Sequence, residues 1–183
     1  MRFSKPVLAS ACEAASQVMR LERPADGMLS AFFRAHPQLG RQDRALVAET
    51  VFAMLRRRRL LEHLLPGAGL KEVVLASWAL LLGANLRELE GLAPPRTLAA
   101  IERAKAGMHG PLPLAIACDL PDWLVARLLP RFGEAGLLEL ASGLLEGAPL
   151  DLRVNTLRTS REQVLAALAA SNLAAVATPH SAV

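Results

Sequence analysis

Tyrosine is absent from this sequence, and aromatic residues make up only 4% of its 183 positions. A core with so few rings must be built from Leu, Ala and Val, which favours packed helices over a sandwich of strands. Both tryptophans, Trp78 and Trp123, are expected in that core, which leaves little for stacking on nucleobases. There are two cysteines, Cys12 and Cys118, far apart in sequence. They form neither a metal-ligand spacing nor a disulfide framework, and both are expected to be buried thiols in a reducing compartment. The strongly apolar uncharged run over residues 73–86 holds 14 residues, too few to cross a bilayer. Arg2 and Lys5 precede Leu8-Ala-Ser-Ala-Cys12, but the apolar stretch is short and Glu13 follows at once. A secretory leader is therefore not expected, and a cytoplasmic location is. No glycine-rich loop follows a strand pattern anywhere in the chain.

Charge is present, and unevenly spread. The formal net charge is +4. Residues 1–65 hold eleven Lys plus Arg against six Asp plus Glu, residues 66–120 hold five of each, and residues 121–183 hold five basic against six acidic. The excess of +5 in the first third invites a polyanion, and it is equally compatible with an Arg-rich solvated surface.

Apolar periodicity predicts helices over residues 7–21, 28–35, 43–65, 71–83, 97–106, 122–131 and 134–145. Pro6, Pro24, Pro37, Gly40, Pro66-Gly67, Pro94-Pro95 and Gly133 supply the breaks. The helix over 43–65 has Val47, Val51 and Met54 on one side and Phe52 and Ala45 nearly opposite, the pattern of a central helix. It runs into Arg56-Arg57-Arg58-Arg59. Helical residues step by about 100°, so such a run fans out in all directions. Arg58 falls on the apolar side, where it must snorkel, pair or mark a break. Trp78 sits at core spacing with Val74, Leu75 and Leu82.

The tail changes period. Leu150, Leu152 and Val154 alternate with Asp151, Arg153 and Asn155, which predicts a strand over 150–155. Ser160 opens a helix over 160–171 with Gln163 three places on, and a weaker strand is predicted over 174–178. Two strands joined by one helix have exposed edges and need partners. The predicted fold is thus mainly α: a helical body followed by an incomplete small α+β segment of β-α-β type. His180 is expected to be disordered.

Two stretches resemble known families. Leu39-Gly-Arg-Gln-Asp-Arg44, followed by Val47-Ala-Glu-Thr-Val-Phe-Ala-Met-Leu-Arg56, resembles the NusB-type helical domain. Pro121-Asp-Trp-Leu124, Arg131-Phe-Gly133 and residues 149–168 resemble the pre-catalytic segment of RsmB-type (Sun/Fmu) RNA cytosine-5 methyltransferases. The resemblance implies a NusB-like RNA-binding domain over 1–119. Linker helices and an incomplete α+β domain would follow over 120–183, with the methyltransferase domain absent. The family's chemistry uses S-adenosylmethionine and a cysteine thiolate that attacks the cytosine ring. Neither Cys12 nor Cys118 lies in a suitable setting, so the chain by itself is expected to be inactive, with no catalytic, cofactor-binding or metal-binding residue. Ribosomal RNA is the implied partner, and no membrane is.

The RNA-binding candidates are Arg41, Arg44, Arg56, Arg57, Arg59, Arg153 and Asn155. Arg57 and Arg59 are expected at solvent, with His63 one turn beyond. Arg44 and Arg56 can equally be structural, satisfying Asp43, Glu49 or helix-end carbonyls. Arg153 can pair with Asp151, and Asn155 can end its strand in a turn; Arg158 and Arg161 are placed similarly at the start of the following helix. Two other functions fit the same residues: a stand-alone NusB-like module in antitermination or ribosome assembly, and a protein-interaction domain without an RNA role.

Overall fold

A computed structural model describes residues 3–148 and 150–179. The chain forms two compact units, residues 1–145 and 146–183. The sequence reading divides it after residue 119; by compactness the division falls after the helices of the middle segment.

The first unit is a helical bundle. Helix α1 (Lys5–Val18) starts on Pro6 and buries Val7, Leu8, Ala11, Ala14, Ala15 and Val18, a single stripe at helical spacing. Helix α2 (Ala25–Ala35) follows a break at Leu21 to Pro24 and buries Leu29 and Phe32. Gly40 precedes helix α3 (Arg41–Arg56), which buries Leu46, Val47, Thr50, Val51, Ala53 and Met54. Helices α1, α2, α4 (Arg58–Leu64) and α5 (Leu70–Leu80) all pack on α3. The expected central helix is therefore central, although Ala45 reaches solvent.

The single helix expected over 43–65 is two. Arg57 leaves the helical region at φ −114°, ψ 30°, and separates α3 from α4. The core closes around Trp78, whose indole Nε1–H donates to Thr50 Oγ1 at 2.7 Å. The Thr50 hydroxyl in turn donates to the Leu46 carbonyl at 2.6 Å, so one hydroxyl satisfies a buried indole and remains satisfied itself. Phe3 packs on the same indole at 4.9 Å between ring centres.

Two short helices, α6 (Leu86–Leu89) and α8 (Leu114–Ala117), have four residues each, too few to show an apolar period, although Asn85 and Glu88 form a capping box at the start of α6. Between them lies α7 (Pro95–Gly107). Glu72 in the first turn of α5 accepts the Gly69 N–H at 3.2 Å and the Thr97 hydroxyl at 3.0 Å, tying α5 to α7. The last helix of the unit, α9 (Asp122–Leu145), is broken where the sequence expects it, at Gly133 with φ 66°, ψ 175°. It forms a second small core of Cys118, Val125, Leu137 and Ala141.

In the second unit, α10 (Arg161–Ala170) starts on the expected cap. Ser160 Oγ accepts the Gln163 N–H at 3.3 Å and Gln163 Oε1 accepts the Ser160 N–H at 3.1 Å. The predicted strands are not formed: among the described residues 150–155 and 174–178 have no regular secondary structure and belong to no ladder. Alternation sets the direction of side chains, while a strand also requires a neighbour to receive its N–H and C=O groups. Leu150, Leu152, Leu157, Leu173 and Val176 are exposed. Position 180 lies outside the described residues.

Candidate nucleic-acid interface

The arginine run sits at the α3–α4 break, and the break has a cause. Asp119 reaches back from the end of α8 and accepts the backbone N–H of Arg59 at 2.8 Å and of Leu60 at 3.2 Å through Oδ1. A carboxylate on the free N–H groups of a first turn is an N-cap, supplied here from a distant part of the chain. Arg57 Nη1 lies 3.3 Å from Asp119 Oδ2, with side-chain exposures of 21% and 3%. Burial pushes the Asp119 carboxyl up, against the lowering effect of Arg57 and the two backbone N–H groups. Arg59 donates to the Leu120 carbonyl and, at 2.9 Å, to Asp122 Oδ1.

Arg57 and Arg59, expected at solvent, are therefore half-buried and fasten α4 to the start of α9. The run cannot fan out as in one continuous helix because the backbone re-phases in its middle. Arg58 instead reaches solvent and pairs with Glu62 at 2.8 Å. Arg56 is exposed and pairs with Glu49 at 2.8 Å.

The remaining candidates separate. Arg44 is structural in the way the sequence allowed: Nε donates to the Leu39 carbonyl at 2.8 Å, and Nη2 approaches the His36 and Pro37 carbonyls at 3.5 Å each. Its guanidinium also stands 5.8 Å from the Phe33 ring centre. It closes the chain between α2 and α3. Arg41 is exposed at the start of α3 and has no hydrogen bond or ion pair with a described residue. In the second unit Arg153 is exposed and is not paired with Asp151. Asn155 makes the turn: its Oδ1 accepts the Leu157 N–H at 3.2 Å, and its carbonyl accepts from Arg158 and Thr159.

The structure adds two features. A groove of about 630 Å³ opens beside α1 and α2, lined by Gln17, Arg20, Arg23, Met28 and Arg34 among others. Its three arginines are exposed and make no ion pair with a described residue. Glu22 is the acidic residue in its wall. The signal in the sequence was the basic excess of the first third; the convergence of positions 20, 23 and 34 needs the α1–α2 hairpin. The second feature is Trp123, expected in the core and found 66% exposed. Position 123 faces away from Val125, the residue of that turn buried in the second core.

Neither thiol is set up as a nucleophile. Cys118 is buried and its thiol is pushed up by burial first, then by Asp119 and Glu134. Cys12 is half-buried rather than buried; burial raises it too, partly offset by Lys71. Attack requires the thiolate, which both settings disfavour. Among the described residues no group of His, Cys, Asp and Glu could hold a metal ion. No described helix is long and apolar enough to cross a membrane.

No curated protein and no solved structure matches the chain. Residues 120–183 match a family model described as "Methyltr_RsmF/B-like, ferredoxin-like domain", so this stretch, from the start of α9 through α10, is similar to a domain of RsmF/B-like methyltransferases.

Proposed function

We propose that this chain is the RNA-holding portion of an S-adenosylmethionine-dependent cytosine-5 methyltransferase acting on 16S ribosomal RNA. The observation that carries the reading is the match of residues 120–183 to the RsmF/B-like domain. Within that reading the NusB-like bundle holds and orients the RNA, and methyl transfer belongs to a catalytic domain outside these 183 residues. Two features support that division of labour. Both thiols are held in the protonated form. Four arginines of the first unit, Arg20, Arg23, Arg34 and Arg41, present cations to solvent and make no ion pair with a described residue.

Binding of this kind rests on phosphate neutralisation, which positions RNA without reading its sequence. Filter binding of the chain to a 16S rRNA fragment over a salt series tests the reading. Affinity is expected to fall steeply with salt. Arg20→Glu, Arg23→Glu and Arg34→Glu combined should weaken it and flatten the slope by about one unit per lost phosphate contact. Absence of binding by the parent chain would overturn the RNA-holding reading, and an unchanged slope in the triple variant would remove the groove from it.

A further inference from the structure

We propose that Trp123, followed along its helix by Arg127 and Arg131, is a stacking platform for an unpaired nucleotide of single-stranded RNA. The proposal rests on the RNA-holding reading and adds to it a site that phosphate contacts alone do not supply.

Three observations converge on α9. First, Trp123 is 66% exposed on the opening turn of a helix whose Val125 is buried in the second core. The same wheel that turns Val125 inward turns positions 123, 127 and 131 outward, since they recur at four-residue spacing on one side. Second, Arg127 and Arg131 are both exposed, and neither forms an ion pair with a described residue. Arg131 stands 5.8 Å from the Phe132 ring centre, so its guanidinium leans on a ring and not on a carboxylate. Between Trp123 and Arg131 the helix carries no acidic residue. Third, the turn that presents Trp123 is anchored. Arg59 holds the Leu120 carbonyl and the Asp122 carboxylate on either side of Pro121.

An exposed indole beside two uncompensated cations matches the chemistry of a nucleotide. The flat face stacks on a base, and the guanidinium groups, one and two turns further along the helix, donate to phosphates of the same strand. Unpaired RNA fits better than a duplex, because only unstacked bases can be laid on a side-chain ring. The RNA backbone supplies an anion at each nucleotide, so one strand can meet the indole and both arginines together. Arg59 is a positioning residue here, since it acts by fixing the turn.

The test uses the full chain, a labelled single-stranded oligouridylate as probe, and a hairpin RNA of equal length for comparison. Trp123 emission should be quenched by the single strand, while the buried Trp78 contributes a constant background. Trp123→Ala should weaken single-strand binding about ten-fold, the scale of one stacked base, with less effect on the hairpin. Trp123→Phe should retain most of the affinity because the ring remains. Arg127→Glu with Arg131→Glu should weaken binding and reduce its salt slope. Single-strand affinity unchanged in Trp123→Ala overturns the platform; if that variant also binds the 16S rRNA fragment normally, the RNA-holding reading stands without it. A wild-type chain that binds no RNA removes both. Self-association by sedimentation that disappears in Trp123→Ala, with RNA affinity unaltered, would assign the indole to a second copy of the chain and overturn the proposal.

Discussion

Asp119 Oδ1 accepts the backbone N–H of Arg59 at 2.8 Å across sixty residues of sequence. This contact caps α4, separates it from α3 and decides what the arginine run can do. Asp119→Ala would leave the Arg59 and Leu60 N–H groups without their acceptor and the Arg57 guanidinium without its ion-pair partner. A loss of about 2 kcal/mol in unfolding free energy is expected by urea denaturation, on the scale of a lost helix cap with buried partners. Asp119→Asn keeps one acceptor and tolerates the residue's left-handed backbone at φ 52°, so it should lose less. Equal stability of the alanine variant and the parent would mean that the cap is dispensable.

Charge reversal should distinguish arginines that hold the fold from arginines that face solvent. Arg57→Glu with Arg59→Glu puts carboxylates beside Asp119 and Asp122 and should lower the melting temperature measurably. The reversal at Arg20, Arg23 and Arg34 breaks no internal pair and should leave it within a degree or two, in line with ordinary surface substitutions. Thermal melts followed by circular dichroism compare the two. The opposite ranking would return the arginine run to the surface.

Thr50→Val keeps the shape of the core and removes the acceptor of the Trp78 indole. The stranded donor should cost about 1–3 kcal/mol, read from urea unfolding curves. Trp78 emission should shift at the same time, since its hydrogen-bond partner is gone.

Glu72 gives the stability a pH dependence. The Thr97 hydroxyl first, then the Gly69 N–H, holds its carboxyl below the ordinary value, against a raising effect of burial. A lowered carboxylate contributes stability above its ordinary range and loses it as pH falls through the folded value. Thr97→Val removes the largest cause. Between about pH 7 and about pH 3 the variant should therefore lose less melting temperature on acidification than the parent, as far as this group is concerned. Parallel acid limbs would exclude the Glu72–Thr97 bond as a contributor.

Amide exchange should be fast over 150–154 and 174–178, where no strand ladder holds the N–H groups, and slow over the buried part of α3 and α5. Comparable protection in both regions would show that these two segments are paired in solution.

The sequence by itself determined the helical body. Scarce aromatics, Leu and Ala at helical spacing, and proline and glycine breaks placed most of α1 to α10. The Gly133 kink and the Ser160 cap were legible because each depends on residues within one turn. Arg44 and Asn155 were legible as alternatives, and both make the local hydrogen bonds that the structural reading of each calls for. Tertiary structure decided the rest. The α3–α4 break depends on Asp119, sixty positions away, and no periodicity within 43–65 can contain that information. Burial of Arg57 and Arg59 follows from the same contact. The groove of Arg20, Arg23 and Arg34 exists only once α1 and α2 fold against each other. Trp123 has a core composition but a solvent direction, fixed by Val125 and the anchored turn beside it. Alternation over 150–155 set which way the side chains point; it could not supply the neighbouring strand that would make the segment a β-strand, because a strand is a property of a pair.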